Sequence, residues 1–286
     1  CGCAACDDIA DYDAACRIFD SSDSSTTGTE FLFDEQTFAA EQCAVFRGAA
    51  LAATWSSPSD SPACLIVRDG SDVREMGAIN GGCVVVLDST LRFQSSFAFE
   101  SGTAARVMLD NADVFDLTLS DQADVLLARS STLNATATAL LLGDGNDSVL
   151  LDTCTLLGTL TPGAGDDVVR AVDTTAAGPF AAIEDSVGGG ANSIEVSAFS
   201  GDADIFVVGG SDADCITVQS ASPGQPPSDV FEAVVGDGDS SQANPGSTDA
   251  CFAGDGSDTA NVIGTIGGPP LGVPGNCEPS TTCTAM

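Results

Sequence analysis

A short turn recurs along the second half of the chain, and its spacing limits the folds open to it. Written as G-x-[G/D]-x-[D/N]-x-[V/I], it occurs as Gly143-Asp-Gly-Asn-Asp-Ser-Val149 and Gly163-Ala-Gly-Asp-Asp-Val-Val169. It returns as Gly188-Gly-Gly-Ala-Asn-Ser-Ile194 and Gly210-Ser-Asp-Ala-Asp-Cys-Ile216, with degraded copies starting at Gly236 and Gly254. Successive starts lie 20, 25, 22, 26 and 18 residues apart, a mean near 22. Glycine supplies positive φ, and Asp and Asn bond nearby backbone, so each copy reads as a turn.

Between the turns lie apolar runs of two to five residues, among them Val149–Leu151, Val168–Val169, Ile194–Val196 and Ile205–Val208. Upstream the turns change but the rhythm persists, at Val84–Leu87, Leu91–Phe93, Val107–Leu109, Val114–Leu119, Val125–Leu127 and Leu140–Leu142. Such runs are too short for helices and lack a 3.6-residue period; bounded by Gly, Asp, Asn and Ser, they read as strands. Short strands at a period of about 20–25 residues indicate stacked coils, each burying its inward face against its neighbours. The reading is an all-β parallel β-solenoid over residues 76–264, in roughly eight coils. An antiparallel β-sandwich is the competing arrangement, although the Asn-Gly and Asp-Gly signals do not pair off consecutive runs.

Residues 1–75 differ from this body. They hold six of the twelve cysteines together with Trp55, Tyr12 and five phenylalanines, and read as a Cys-rich N-terminal cap, with a short helix over Asp7–Phe19 covering the first coil. Residues 265–286, rich in Pro and containing Cys277 and Cys283, read as an irregular tail.

The charge is extreme: 8 basic residues, all Arg, against 42 acidic ones give −34, with no His. Such a field repels nucleic acid and anionic lipid and attracts cations. Asp outnumbers Glu 33 to 9, which suits turns and short-armed calcium loops; adaptation to high salt is the alternative source of such acidity. No apolar run approaches the roughly 18–20 residues that span a bilayer. An even cysteine count without His, and without regular C-x-x-C pairs, favours disulfides in an oxidising compartment over zinc. Cys277–Cys283 is the expected local bridge. The chain opens at Cys1 and its first Met is Met76, which fits a processed, secreted product. Two glycosylation sequons begin at Asn134 and Asn146.

The body, 76–264, resembles the right-handed parallel β-helix of secreted and surface proteins. The GDGND and GDGSD turns resemble the calcium-binding repeat of RTX (haemolysin-type) proteins, G-G-x-G-x-D-x-U-x. In that family the repeat recurs every nine residues, whereas here one copy falls in each coil. The resemblance implies a calcium-binding glycine-aspartate loop with the closing apolar residue in the core. Stacked turns would bring Asp144 and Asp147 near Asp166 and Asp167, and then Asp212, Asp214, Asp237, Asp239, Asp255 and Asp258 in later coils. Like charges at coil spacing repel unless a cation lies between them, so these ten aspartates are the candidate calcium ligands. The alternative is that they sit apart on a solvated edge and bond their own turns.

A nucleophilic Ser-His or Cys-His pair requires His, which is absent. Paired carboxylates are so abundant that no one pair stands out as a glycosidase site. Threonine ladders of the T-x-T kind, at Thr136/Thr138, Thr153/Thr155 and Thr159/Thr161, do not match the coil period. The functional expectation is therefore a non-enzymatic extracellular or cell-surface structural protein. It is read as a subunit of a calcium-stabilised filament, sheath or surface layer that self-associates head-to-tail. A surface adhesin or glycan-binding module is the alternative, and a glycoside hydrolase using paired carboxylates the third.

Overall fold

The computed structural model describes residues 17–20, 43–52, 63–76, 82–93, 104–184, 190, 192–201, 204–208, 215–220, 231–235, 251–253 and 259–263. They form an all-β parallel solenoid, without a helix among the described residues. The chain winds between two sheets. The first contains Arg17–Phe19, Cys43–Arg47, Ala63–Arg68, Gly82–Leu87, Ala105–Asp110, Val125–Arg129, Ser148–Asp152, Val168–Val172, Ser193–Gly201, Cys215–Ser220 and Thr259–Ile263. The second contains Ala50–Ala52, Asp72–Met76, Thr90–Phe93, Asp113–Phe115, Thr132–Leu141, Thr155–Thr161, Thr175–Glu184, Asp204–Val208, Phe231–Val235 and Cys251–Ala253.

These strands pair in parallel, which removes the antiparallel sandwich. The register explains the spacing of the turns. Ser148 pairs with Val168, Val168 with Ser193 and Ser193 with Cys215, so the steps between glycine turns are steps from coil to coil.

Alternation within each strand builds the core. In the first sheet Val107/Leu109, Leu126/Ala128, Val149/Leu151, Val169/Ala171 and Ile194/Val196 face inward and are buried. In the second sheet Val73, Leu91, Val114, Leu133 and Leu156 stack in one buried column. In the middle coils Leu140 and Leu160 are paired and buried in the second sheet, and Leu119 and Leu142 continue the core beyond it, where Thr118 bridges Leu141 in parallel. Burial of each such side chain contributes about 1.5–3 kcal/mol relative to exposure, and no coil collects enough of it alone.

The same sheets begin well before residue 76. Arg17–Phe19 is a strand paired with Ala44–Phe46, not the end of a helix. Its Ile and Phe side chains suit a pleated, half-buried position, and the Phe19 and Phe46 rings stack at 4.9 Å. Asp7–Cys16, the remainder of the expected helix, lies outside the described residues. Val45, Ile66 and Val85 occupy the outer face of the first sheet, opposite the inward Ala44, Leu65 and Val84, and yet are buried. Cys64 and Cys83, both disulfide-bonded, belong to this outer cluster. Farther along that column Leu127 is 39 % exposed, and Arg170 and Glu195 form an exposed ion pair at 3.2 Å.

Not every cysteine is paired. Cys154 is a buried free thiol, and burial raises its pKa. It occupies an inward corner position held in other coils by Ser, Ala or Thr, where a small side chain is what the space admits. Cys277 and Cys283 lie outside the described residues.

Candidate functional site: the glycine-aspartate corner

In the described middle coils the repeated turn makes the bend that leads back into the first sheet. Its five core positions form columns running from coil to coil. The turn before the first GDG copy is Ser120-Asp-Gln-Ala-Asp124, and it stacks position by position on Gly143–Asp147 and Gly163–Asp167.

From Gly143 and Gly145 onward, two of the columns require glycine. Gly163 has φ +103, and a Cβ there would lie 1.8 Å from the carbonyl oxygen of Gly143. Gly165 has φ +140, and its Cβ would lie 1.8 Å from Gly145 O. The glycines thus let the backbone of one coil rest on that of the next. Gly145 N–H donates to Ala164 O at 2.6 Å, and Ala164 N–H donates to Gly143 O at 3.2 Å.

The fifth position of the turn is buried. Asp124, Asp147, Asp167 and Asn192 are each 1–2 % exposed. Asp124 N–H donates to Asp147 Oδ1 at 2.7 Å, Asp147 N–H to Asp167 Oδ1 at 2.8 Å, and Asp167 N–H to Asn192 Oδ1 at 2.9 Å. Each side chain therefore satisfies a buried backbone donor of the coil before it, which would otherwise cost about 1–3 kcal/mol.

The rungs differ in how their second oxygen is met. Asp124 accepts Ala105 N–H at 2.6 Å, Ser120 N–H at 2.6 Å, and the Ser120 hydroxyl at 2.8 and 3.0 Å. At Asp147 the residue equivalent to Ser120 is Gly143, which has no hydroxyl, and Asp147 Oδ2 is buried without a hydrogen-bond partner. Burial raises the pKa of both carboxyls. For Asp124 the N–H and hydroxyl bonds oppose the rise. For Asp147 burial dominates, the Asp124 N–H opposes it, and the negative charges of Asp167, Asp124 and Asp144 reinforce it, taking the pKa to about 7.

The expected calcium ligands divide within this geometry. Asp144 and Asp166 are exposed on the outside of the turn, whereas Asp147 and Asp167 are in the buried column. Calcium needs about six to eight oxygens. Here one carboxylate oxygen of Asp147 and of Asp167, with the Gly143 and Ala164 carbonyls, receives an N–H of a neighbouring coil. Among the described residues no three acidic, Cys or His side chains converge as a metal set. The described corner is joined by direct hydrogen bonds between its coils. Asp212, Asp214, Asp237, Asp239, Asp255 and Asp258 lie outside the described residues.

Both sequons fall on described positions. Asn134 is half-exposed on the second sheet, where its carbonyl accepts Asp116 N–H at 3.0 Å. Asn146 is exposed, and its Oδ1 accepts Asp166 N–H at 3.1 Å, so its side chain already bridges two coils.

Asp124 escapes the turn pattern because its own turn contains no glycine. The signal that marks it is the Asp or Asn two residues before the inward apolar residue: Asp124 before Leu126, Asp147 before Val149, Asp167 before Val169 and Asn192 before Ile194. No protein-family model, curated protein or solved structure matches the chain.

Proposed function

We propose that the protein is a non-enzymatic structural element, an extracellular rod that self-associates head-to-tail into a filament, sheath or surface layer. The observation that supports this most is the uninterrupted parallel pairing of both sheets, with the corners hydrogen-bonded coil to coil. A stack of this kind presents unpaired N–H and C=O groups wherever it stops, and a second copy offers the complementary row. The carboxylates most regularly grouped, Asp124, Asp147 and Asp167, are buried and engaged with backbone N–H groups, which favours scaffold over hydrolase. The extracellular setting rests on the twelve cysteines and the −34 charge.

Sizing and electron microscopy of the native material test the proposal. Elongated, concentration-dependent assemblies of uniform width are expected; a strict monomer at every concentration would overturn it. The measurement is run in calcium and in EGTA. Calcium at the acidic turns carrying Asp144, Asp147, Asp166, Asp167, Asp212, Asp214, Asp237, Asp239, Asp255 and Asp258 is part of the proposal, so EGTA is expected to shorten the assemblies.

A further inference from the structure

Three successive strands of the first sheet carry a cysteine at one register position. Cys43 pairs with Cys64 and Cys64 with Cys83, and the next strand has Arg106 there. Cys64 and Cys83 belong to the buried cluster on the outer face, and both are disulfide-bonded.

Outward side chains of a sheet meet water unless something lies over them. Val45, Ile66, Val85, Met108 and Leu127 form one outward column, and its exposure changes along the sheet. The first three are 1–3 % exposed, Met108 is half-buried, and Leu127 is 39 % exposed. Ile18, Leu87 and Met108, which pack against the buried part, are on strands of the same sheet, so they flank it and do not cover it. The covered coils are those that carry the disulfides, and the cover ends by Leu127.

The disulfides limit what can form it. In-register neighbours of a parallel sheet point the same way, so their Cβ atoms stay about 4.8 Å apart, the strand spacing. A disulfide holds its Cβ atoms about 3.5–4.5 Å apart. Bonds within the column are thus poorly spaced, and partners from outside it suit Cys64 and Cys83 better. Cys154 is a free thiol, Cys215 stands six strands beyond Cys83 in the same column, and Cys251 is on the last described strand of the second sheet. Cys1, Cys3 and Cys6 are two and three residues apart, and only Gly2, Ala4 and Ala5 stand between them. An extended chain advances about 3.3 Å per residue, so two of these cysteines can reach partners one coil apart. In a chain of charge −34 this uncharged stretch also suits contact with an apolar face.

We propose that residues 1–6 form a strap across the outer face of the first sheet, tied by disulfides to Cys64 and Cys83 and lying over Val45, Ile66 and Val85. The strap closes an apolar face that stays open farther along, at Leu127. It is a property of one chain and holds whether or not chains assemble.

Non-reducing tryptic mapping of the wild-type full chain, with free thiols blocked first, tests the ties. Cleavage after Arg puts Cys43, Cys64 and Cys83 in separate peptides, 18–47, 48–68 and 75–92, apart from the four cysteines of 1–17. Peptide 1–17 is expected in one cross-linked species with 48–68 and 75–92. A second cut before Asp7 should leave both bonds on residues 1–6. A bond joining 48–68 to 75–92, or either of them to 18–47, to Cys16 or to 171–286, would overturn the proposal. So would a cross-link to 1–17 found only in covalent dimers, which would make a second copy the occupant. Hydroxyl-radical footprinting tests the cover: in the wild type Val45, Ile66 and Val85 should be labelled severalfold less than Leu127. In the full chain with Cys64→Ser and Cys83→Ser, their labelling should rise towards that of Leu127. Equal labelling of the four residues in the wild type, or unchanged labelling in the folded variant, would remove the strap.

Discussion

At the bend from the first sheet to the second, the inward position is filled by Ala49, Ser71, Ser89, Ala112, Ser131, Cys154 and Thr174. At the bend back, in the described middle coils, it is filled by Asp124, Asp147, Asp167 and Asn192. Both corners face one problem, a buried N–H in the neighbouring coil that no strand partner satisfies. At the first, Ala49 N–H donates to Ser71 Oγ and Ser71 N–H to Ser89 Oγ, each at 3.1 Å. A hydroxyl closes the account at both ends, because it also donates: Ser71 Oγ bonds Arg68 O, and Ser131 Oγ bonds Arg129 O, each at 2.7 Å. A carboxylate accepts the same N–H but has no proton to give, so one oxygen must find a donor or a proton. The hydroxyl corner carries no group that ionises near neutrality, whereas burial raises the Asp124 and Asp147 carboxyls at the aspartate corner.

The corners also bend by different means. At the first, the bend is made by residues in the left-handed conformation: Gly48, Asp69 with Gly70, Asp88, Asn111, Ser130, Thr153 and Asp173. At the second, glycines allow direct contact of backbone on backbone. Gly165→Ala should break that difference open, with a loss of about 3 kcal/mol or more, because the new Cβ meets the rigid carbonyl of Gly145. Gly70→Ala is the comparison at the first corner: φ is +74 there, but nothing lies within 4 Å of the new Cβ. It should cost only the left-handed conformation, about 1–2 kcal/mol. Chemical denaturation of both variants checks the ranking, and comparable losses would refute the steric account of the glycine columns.

Ser120→Ala sharpens the contrast within the aspartate corner. It removes the hydroxyl that reaches both oxygens of Asp124, leaving that rung dependent on N–H bonds. Hydrogen bonds to charged groups are worth about 1.5–3 kcal/mol, so a loss of about 2 kcal/mol is expected at alkaline pH. The Asp124 carboxyl, already raised by burial, should rise further. The loss should then shrink as pH falls, because the protonated carboxyl needs the hydroxyl less. Unfolding at about pH 5 and pH 8 checks this, and equal losses at both would count against a charged Asp124.

These contrasts also mark what the sequence makes legible. The period and the strands are readable, because glycine turns punctuate apolar runs and the register repeats their spacing. The start of the solenoid is hidden. Near Val45, Ile66 and Val85 the outer face is also buried, so segments such as Cys64–Val67 lose the in-out alternation that marks a half-exposed strand. The hydroxyl corner is hidden for another reason. Its left-handed residues recur from coil to coil, but Gly, Asp, Asn, Ser and Thr all serve there, so spacing survives without a motif. In the aspartate corner the turn itself announces Asp147 and Asp167. Their role is not announced, since an Asp that binds a cation and one that accepts an N–H from the coil before it leave the same letter.

The smallest effect is expected where the corner is neutral. Ser131 Oγ accepts Ala112 N–H at 3.1 Å and donates to Arg129 O at 2.7 Å. Alanine fits this column, since Ala49 and Ala112 already occupy it in other coils. Ser131→Ala should therefore leave no clash and cost about 1 kcal/mol, that of one buried N–H losing its acceptor. The loss should be flat from about pH 5 to pH 8, because a hydroxyl does not ionise in this range. The neighbouring Cys154 has its pKa raised by burial and stays a neutral thiol there. A flat loss for Ser131→Ala beside a sloping one for Ser120→Ala is the pattern that separates a hydroxyl-capped corner from a carboxylate one. A pH-dependent loss at Ser131 would mean that charge reaches the first corner as well, and the two bends would no longer be chemically distinct.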